Sequence, residues 1–141
     1  MTLSLNKSIY LKATPAQVWT WLTEPSKLAV WFHAPKSPLT KGAAYELFGT
    51  ESGDRLVWGE ILHADPPNQL EMTFTIGPLG GTVTHVTWRL QPVAGGTRLL
   101  LEHTGLPDTA ESFGLALALD KGWDDHLASM RTGLDSAQSC T

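Results

Sequence analysis

From Leu115 to Leu134 the apolar residues fall three or four positions apart, through Leu119, Trp123, Leu127 and Met130. This spacing places them on one stripe of an α-helix several turns long, and such a stripe needs a sheet to cover. Asp108 and Glu111, just ahead of it, have the side chains for a reciprocal N-terminal cap. Gly122, next to Trp123, reads in two ways: as a close contact or gentle bend, or as a tolerated surface glycine. Upstream the period changes to two. Runs bounded by Gly, Pro, Asn or Asp predict strands over residues 43–49, 55–63, 69–76, 82–91 and 97–104. Val86, Trp88 and Leu90 share one side of one strand, and Leu99, Leu101 and His103 share one side of the next. Both rows can face a common interior.

The first forty residues carry a different pattern. Leu3, Leu5, Ile9 and Leu11 alternate along a strand predicted over residues 3–12, interrupted by Lys7. Thr14-Pro15-Ala16-Gln17 then supplies an N-cap, a proline at the first helical position and a glutamine at the third. A short helix should run to about Thr23, where Pro25 ends it. One further turn fits residues 26–32 before Pro35 and Pro38 force an extended connection. Gly77-Pro78-Leu79-Gly80-Gly81 reads as a long hairpin connection. The order predicts one α+β domain over residues 1–141, an antiparallel sheet packed against a long C-terminal helix, with one or two short helices after the first strand.

At 141 residues the chain can bury roughly two thirds of its unfolded surface, so its core needs neither a disulfide nor a structural metal. The net charge of -4 arises from scattered carboxylates and bases, without the basic stripe that would track a phosphate backbone. Nucleic acid is therefore not an expected partner. Cys140, alone and next to the C-terminus, cannot form an intramolecular bridge, which fits a reducing compartment. No basic region followed by an apolar run opens the chain, so the cytoplasm is the expected location. The most apolar stretch, residues 113–119, is too short for membrane insertion.

Chemical motifs are sparse. His33, His63, His85 and His126 sit on different predicted elements with no compact ligand spacing, so neither a metal nor another cofactor is expected. Ser112 lacks the glycines of a nucleophile elbow, and Gly77, Gly80 and Gly81 lack the lysine and hydroxyl of a phosphate loop. Asp120, Asp124 and Asp125 read as a solvated helix face.

Several short words, taken in order, carry a resemblance. They are Ala13-Thr14-Pro15-Ala16-Gln17-Val18-Trp19; Thr23-Glu24-Pro25 with Leu28 and Trp31-Phe32; and Gly59-Glu60-Ile61 with Asp65-Pro66-Pro67-Asn68-Gln69-Leu70. Gly95-Gly96-Thr97-Arg98-Leu99, His103-Thr104-Gly105-Leu106 and Gly122-Trp123 with Leu127 complete the series. The chain resembles the START-like, polyketide-cyclase-like (SRPBCC) superfamily, and within it the family related to the C-terminal domain of the activator of the Hsp90 ATPase. The resemblance implies a helix-grip fold, with a curved sheet and terminal helix around an apolar cavity. Residues here that can line such a cavity are Trp31, Phe32, Phe48, Trp58, Met72, Phe74, Trp88, Leu101, Leu119, Trp123 and Leu127. The same side chains can instead meet in a solid core.

Two polar residues stand out beside them. His103 can hydrogen-bond a ligand from the row of Leu99 and Leu101, or serve as a satisfied structural histidine. Glu60 can point inward beside Trp58 and Leu62, or face solvent at a hairpin edge. The expected function is non-enzymatic binding of a small, largely hydrophobic molecule. A cyclase, dehydratase or hydrolase-like enzyme working through His103 or Glu60 is the first alternative, and a chaperone-stimulating interaction module the second. A homodimer stays open on the sequence alone.

Overall fold

A computed structural model describes residues 2–33, 35–49, 53–79 and 81–139. Strand β1 (Thr2–Leu11) leads into helices α1 (Pro15–Thr23) and α2 (Pro25–Trp31). Five strands follow in a meander: β2 (Ala44–Phe48), β3 (Arg55–Asp65), β4 (Gln69–Phe74), β5 (Thr84–Val93) and β6 (Gly96–Pro107). Helix α3 (Phe113–Ser139) closes the order. The six strands form one antiparallel sheet in the order β1-β6-β5-β4-β3-β2. It is curved and does not close, and α3 packs against it beside the two short helices.

The local signals explain most of these boundaries. The Thr14 hydroxyl accepts from the Gln17 amide at 3.2 Å, and the Gln17 side-chain oxygen accepts from the Thr14 amide at 2.8 Å. Two orphan donors at the start of α1 are thereby satisfied. Between α1 and α2, Pro25 follows a Glu24 with extended backbone, which separates the two short helices.

The C-terminal helix begins later than the Asp108–Glu111 cap would place it. Thr109 instead takes the Ser112 amide on both its carbonyl and its hydroxyl, each at 3.1 Å, forming a turn ahead of Phe113. Strand β6 correspondingly runs on to Pro107, because β1 pairs with it as far as Thr2 opposite Pro107. The 77–81 connection contains a 3-10 turn, Gly77–Leu79; Gly80 and Cys140 lie outside the described residues.

Lys7 is not a break in the first strand. It shares the inward row of β1, and its ammonium meets Asp120 at 2.6 Å and Asp124 at 3.1 Å on α3. Partial burial by itself would lower its pKa, but the hydrogen bonds and charges of the two carboxylates outweigh that and raise it. The cluster of Asp120, Asp124 and Asp125 thus divides: the first two tie the helix to β1, and Asp125 pairs along the helix with Lys121 at 2.8 Å.

Trp123, Leu127, Met130 and Leu134 are buried, as the periodicity of the helix requires, while Leu119 is half-buried. Close approach on this helix occurs at Gly133 and not at Gly122. A Cβ at Gly133 would stand 2.6 Å from Trp21 Cζ3 and 3.1 Å from a Val30 methyl, whereas one at Gly122 would meet nothing within 4 Å. The two glycines should therefore respond oppositely to alanine. Gly122→Ala is expected to stabilise by about 0.5–1 kcal/mol through helix propensity. Gly133→Ala is expected to destabilise by about 1–2 kcal/mol, since overpacking against the indole exceeds the propensity gain. Urea unfolding of the two variants checks both signs.

Candidate functional site

On α3, Ala118, Gly122 and His126 recur every four residues and so form one row beside the buried stripe. Two members of that row have almost no side chain. Facing them are Leu56 and Val57 of β3, Phe74 of β4 and the Ile76 that follows, with Phe32 and His33 arriving from the end of α2. A groove of about 330 Å³ lies between, open to solvent along one side. The absent side chain of Gly122 contributes directly to this space.

Trp123 forms the inner wall. Its ring centroid lies 5.4 Å from Phe32, 5.8 Å from Phe74, 5.6 Å from Trp88 and 6.0 Å from His103. Behind it is a second void of only about 20 Å³, bordered by Trp31, Met72, Trp88 and other apolar side chains. That is room for about one water molecule. Solid core and open groove thus both occur around Trp123: tightly packed aromatic rings border the small void, and the larger space lies towards Ala118, Gly122 and His126.

His103 belongs to the packed side. It is fully buried, and its two ring nitrogens are both engaged. Trp123 Nε1–H donates to Nδ1 at 3.0 Å. The Thr84 hydroxyl donates to the Phe74 carbonyl at 2.7 Å, so at 2.8 Å from Nε2 it must accept the imidazole proton. The chain from indole to carbonyl fixes one neutral tautomer, and burial lowers the His103 pKa to about 4.

The remaining sequence candidates divide by location. Phe32, Phe74, Leu119 and Trp123 line the groove; Trp31 and Trp88 border the small void; Leu101 and Leu127 are buried in the core. Trp58 alternates away from the buried Val57 and carries the Arg55 guanidinium 4.1 Å from its ring centre. Phe48 lies beneath the Lys36 ammonium, 4.9 Å away. Glu60 is exposed, and its amide is held by the Thr73 hydroxyl at 2.8 Å. The groove also brings in residues that the sequence did not single out as lining: His33, Leu56, Val57, Ile76, Ala118, Gly122 and His126. The signal for the helical part was the four-residue recurrence of Ala118, Gly122 and His126.

His33 and His126 are the polar side chains of the groove, with ring centroids 5.4 Å apart. The Trp31 carbonyl can only accept, so at 3.0 Å it receives a hydrogen bond from His126 Nδ1–H. Burial lowers the pKa of His126, outweighing the opposite effects of that carbonyl and of Asp125. Burial, followed by the charge of His126, lowers that of His33. Among the described residues no group of three or more His, Cys, Asp or Glu is placed to hold a metal ion, and no helix is long and apolar enough to cross a membrane.

An open antiparallel sheet gripping a long terminal helix, with a groove under that helix, defines a START-like protein of the helix-grip class. The chain belongs to the family described as activator of Hsp90 ATPase homolog 1-like protein, whose family model matches residues 12–135. Solved structures share the fold. DynU16, from the dynemicin biosynthetic locus, is 24% identical with a TM-score of 0.81; the match covers 95% of this chain but 48% of DynU16, so this chain spans about half its length. Protein MLL2253 from Mesorhizobium loti is 22% identical over 95% of this chain and 98% of its own, with a TM-score of 0.80. The Aha1 dimer from Colwellia psychrerythraea, solved in solution, is 18% identical over 94% and 96%, with a TM-score of 0.78. No curated protein matches the chain in sequence.

Proposed function

We propose that this protein binds a small, largely apolar molecule in the groove between α3 and the sheet, without catalysing a reaction. The observation that carries this reading is the open space of about 330 Å³ between apolar and aromatic walls, within the size range of small-molecule sites. Phe32, Phe74, Leu119 and Trp123 are the ligand-contacting residues on this reading, joined by Leu56, Val57 and Ile76. Gly122 supplies the test, since a side chain there projects into unoccupied space. Gly122→Leu should keep or raise stability, because leucine is the better helix former. The same change should weaken binding of the neutral fluorescent probe N-phenylnaphthylamine by about tenfold or more, a loss of roughly 1.4 kcal/mol or greater. Unchanged probe affinity in a folded Gly122→Leu protein would refute the groove as the site.

The Colwellia relative, described as a dimer, supports self-association as the partner reading for this chain. Sedimentation equilibrium over a range of concentrations distinguishes a monomer from a homodimer.

A further inference from the structure

We propose that the groove selects apolar ring compounds bearing a phenolic hydroxyl, which donates to His126 Nε2 and accepts from a ring N–H of His33. This rests on the reading of the groove as an apolar-ligand site and assigns its polar end. The Trp31 carbonyl holds the proton of neutral His126 on Nδ1, leaving a lone pair on Nε2. No described residue hydrogen-bonds that nitrogen, and none hydrogen-bonds the His33 ring. A neutral imidazole at His33 brings one N–H and one lone pair. A phenol has the complementary set, one O–H to give and one oxygen to receive, and its ring can lie against Phe32, Phe74 and Trp123.

A carboxylate fits the same place less well. Burial favours the neutral form of both histidines, so they offer it no countercharge, and two imidazolium rings at 5.4 Å would repel one another. Of the charged groups, Asp125 on the same helix acts on His126 and would oppose a ligand anion, while Lys121 is already paired with Asp125. The walls contributed by β3, β4 and the end of α2 are otherwise apolar. An anion would therefore exchange part of its hydration for apolar walls and gain no countercharge there.

Three naphthalenes with similar ring bodies test the assignment: 2-naphthol, 2-methylnaphthalene and 2-naphthoate, titrated at about pH 7, near the range where histidine titrates. The expected order is naphthol tightest, by about 3–10-fold over methylnaphthalene for one net neutral hydrogen bond, with naphthoate weakest. His126→Phe should bring the ratio of naphthol to methylnaphthalene affinity to about one, whatever it does to the affinity of both. His33→Phe, which leaves the bond to Trp31 untouched, should remove part of the preference and serves as the second variant. Equal binding of naphthol and methylnaphthalene, or a preference that survives both substitutions, overturns the proposal. Tightest binding by naphthoate overturns the neutral pair in favour of an anion site. Binding of none of the three removes the ligand-site reading, and this proposal with it; binding of all three alike removes only the proposal.

Discussion

Trp123→Ala is expected to lower the unfolding free energy by roughly 3–5 kcal/mol, a large share of what an ordinary domain possesses. Two losses add. The indole packs against the rings of Phe32, Phe74, Trp88, His103 and His126 from the centre of the helix stripe, so removing it opens a cavity among five ring neighbours. It also removes the donor to His103 Nδ1, leaving a buried acceptor without its partner. Trp123→Phe separates the two, since most of the ring is kept and the N–H is lost; a cost of about 1–3 kcal/mol is expected from the unpaired nitrogen and reduced packing. Asp124→Ala is the control. Its carboxylate is mostly exposed and lies 3.1 Å from Lys7, so the expected cost is below about 1 kcal/mol. Urea unfolding of the three variants provides the measurement, and a loss below about 1 kcal/mol for Trp123→Ala would reject the tryptophan as the anchor of α3. The groove changes too: without the indole wall it joins the small void behind, so the alanine variant should admit bulkier apolar probes than the parent.

The periodicity that marked Trp123 also marks the limit of what sequence can convey. A repeat of three or four identifies the buried face of a helix because burial is a property of each residue in turn. The spacing of Leu119, Trp123, Leu127, Met130 and Leu134 therefore placed α3 on the sheet, and alternation in the first strand together with the turn formers bounding the other five located all six to within a few residues. A void is a property of what surrounds a position. The groove exists because Gly122 and Ala118 leave space opposite Val57 and Phe74, and nothing in their local pattern says which strand they will face. Lys7 poses the same difficulty over a longer distance: it looked like a fault in an alternating strand because its partners, Asp120 and Asp124, lie more than a hundred residues away. Even the histidines follow this division. His103 sat visibly in an inward row, whereas the pairing of His33 with His126 depends on α2 ending beside α3.

His103 gives the pH dependence its sign. In the unfolded chain its imidazole titrates near the ordinary 6.5, and in the folded protein near 4, because burial penalises the charged ring. Above about pH 6.5 both states hold it neutral, and it imposes no pH dependence. As the pH falls from there towards 4, the unfolded state takes up a proton that the folded state refuses, so stability declines. The span corresponds to roughly 3 kcal/mol, at about 1.4 kcal/mol per unit of pKa. The geometry supports the direction independently. Protonation would place a hydrogen on Nδ1, where the Trp123 N–H already points, while Nε2 is committed to Thr84 and through it to the Phe74 carbonyl. His33 and His126 have pKa values lowered in the same direction, so the parent curve alone does not isolate His103. His103→Gln does. A glutamine oxygen can accept from Trp123 and its amide can donate to Thr84, which preserves the kind of bonding while removing the titrating group. The variant is expected to be less stable than the parent by about 1–2 kcal/mol near neutral pH, from imperfect fit, yet to lose less on acidification. Urea unfolding at intervals from about pH 7 to pH 4 should therefore show two curves that converge. Parallel curves across that interval would assign the acid sensitivity to other groups and remove His103 from the account.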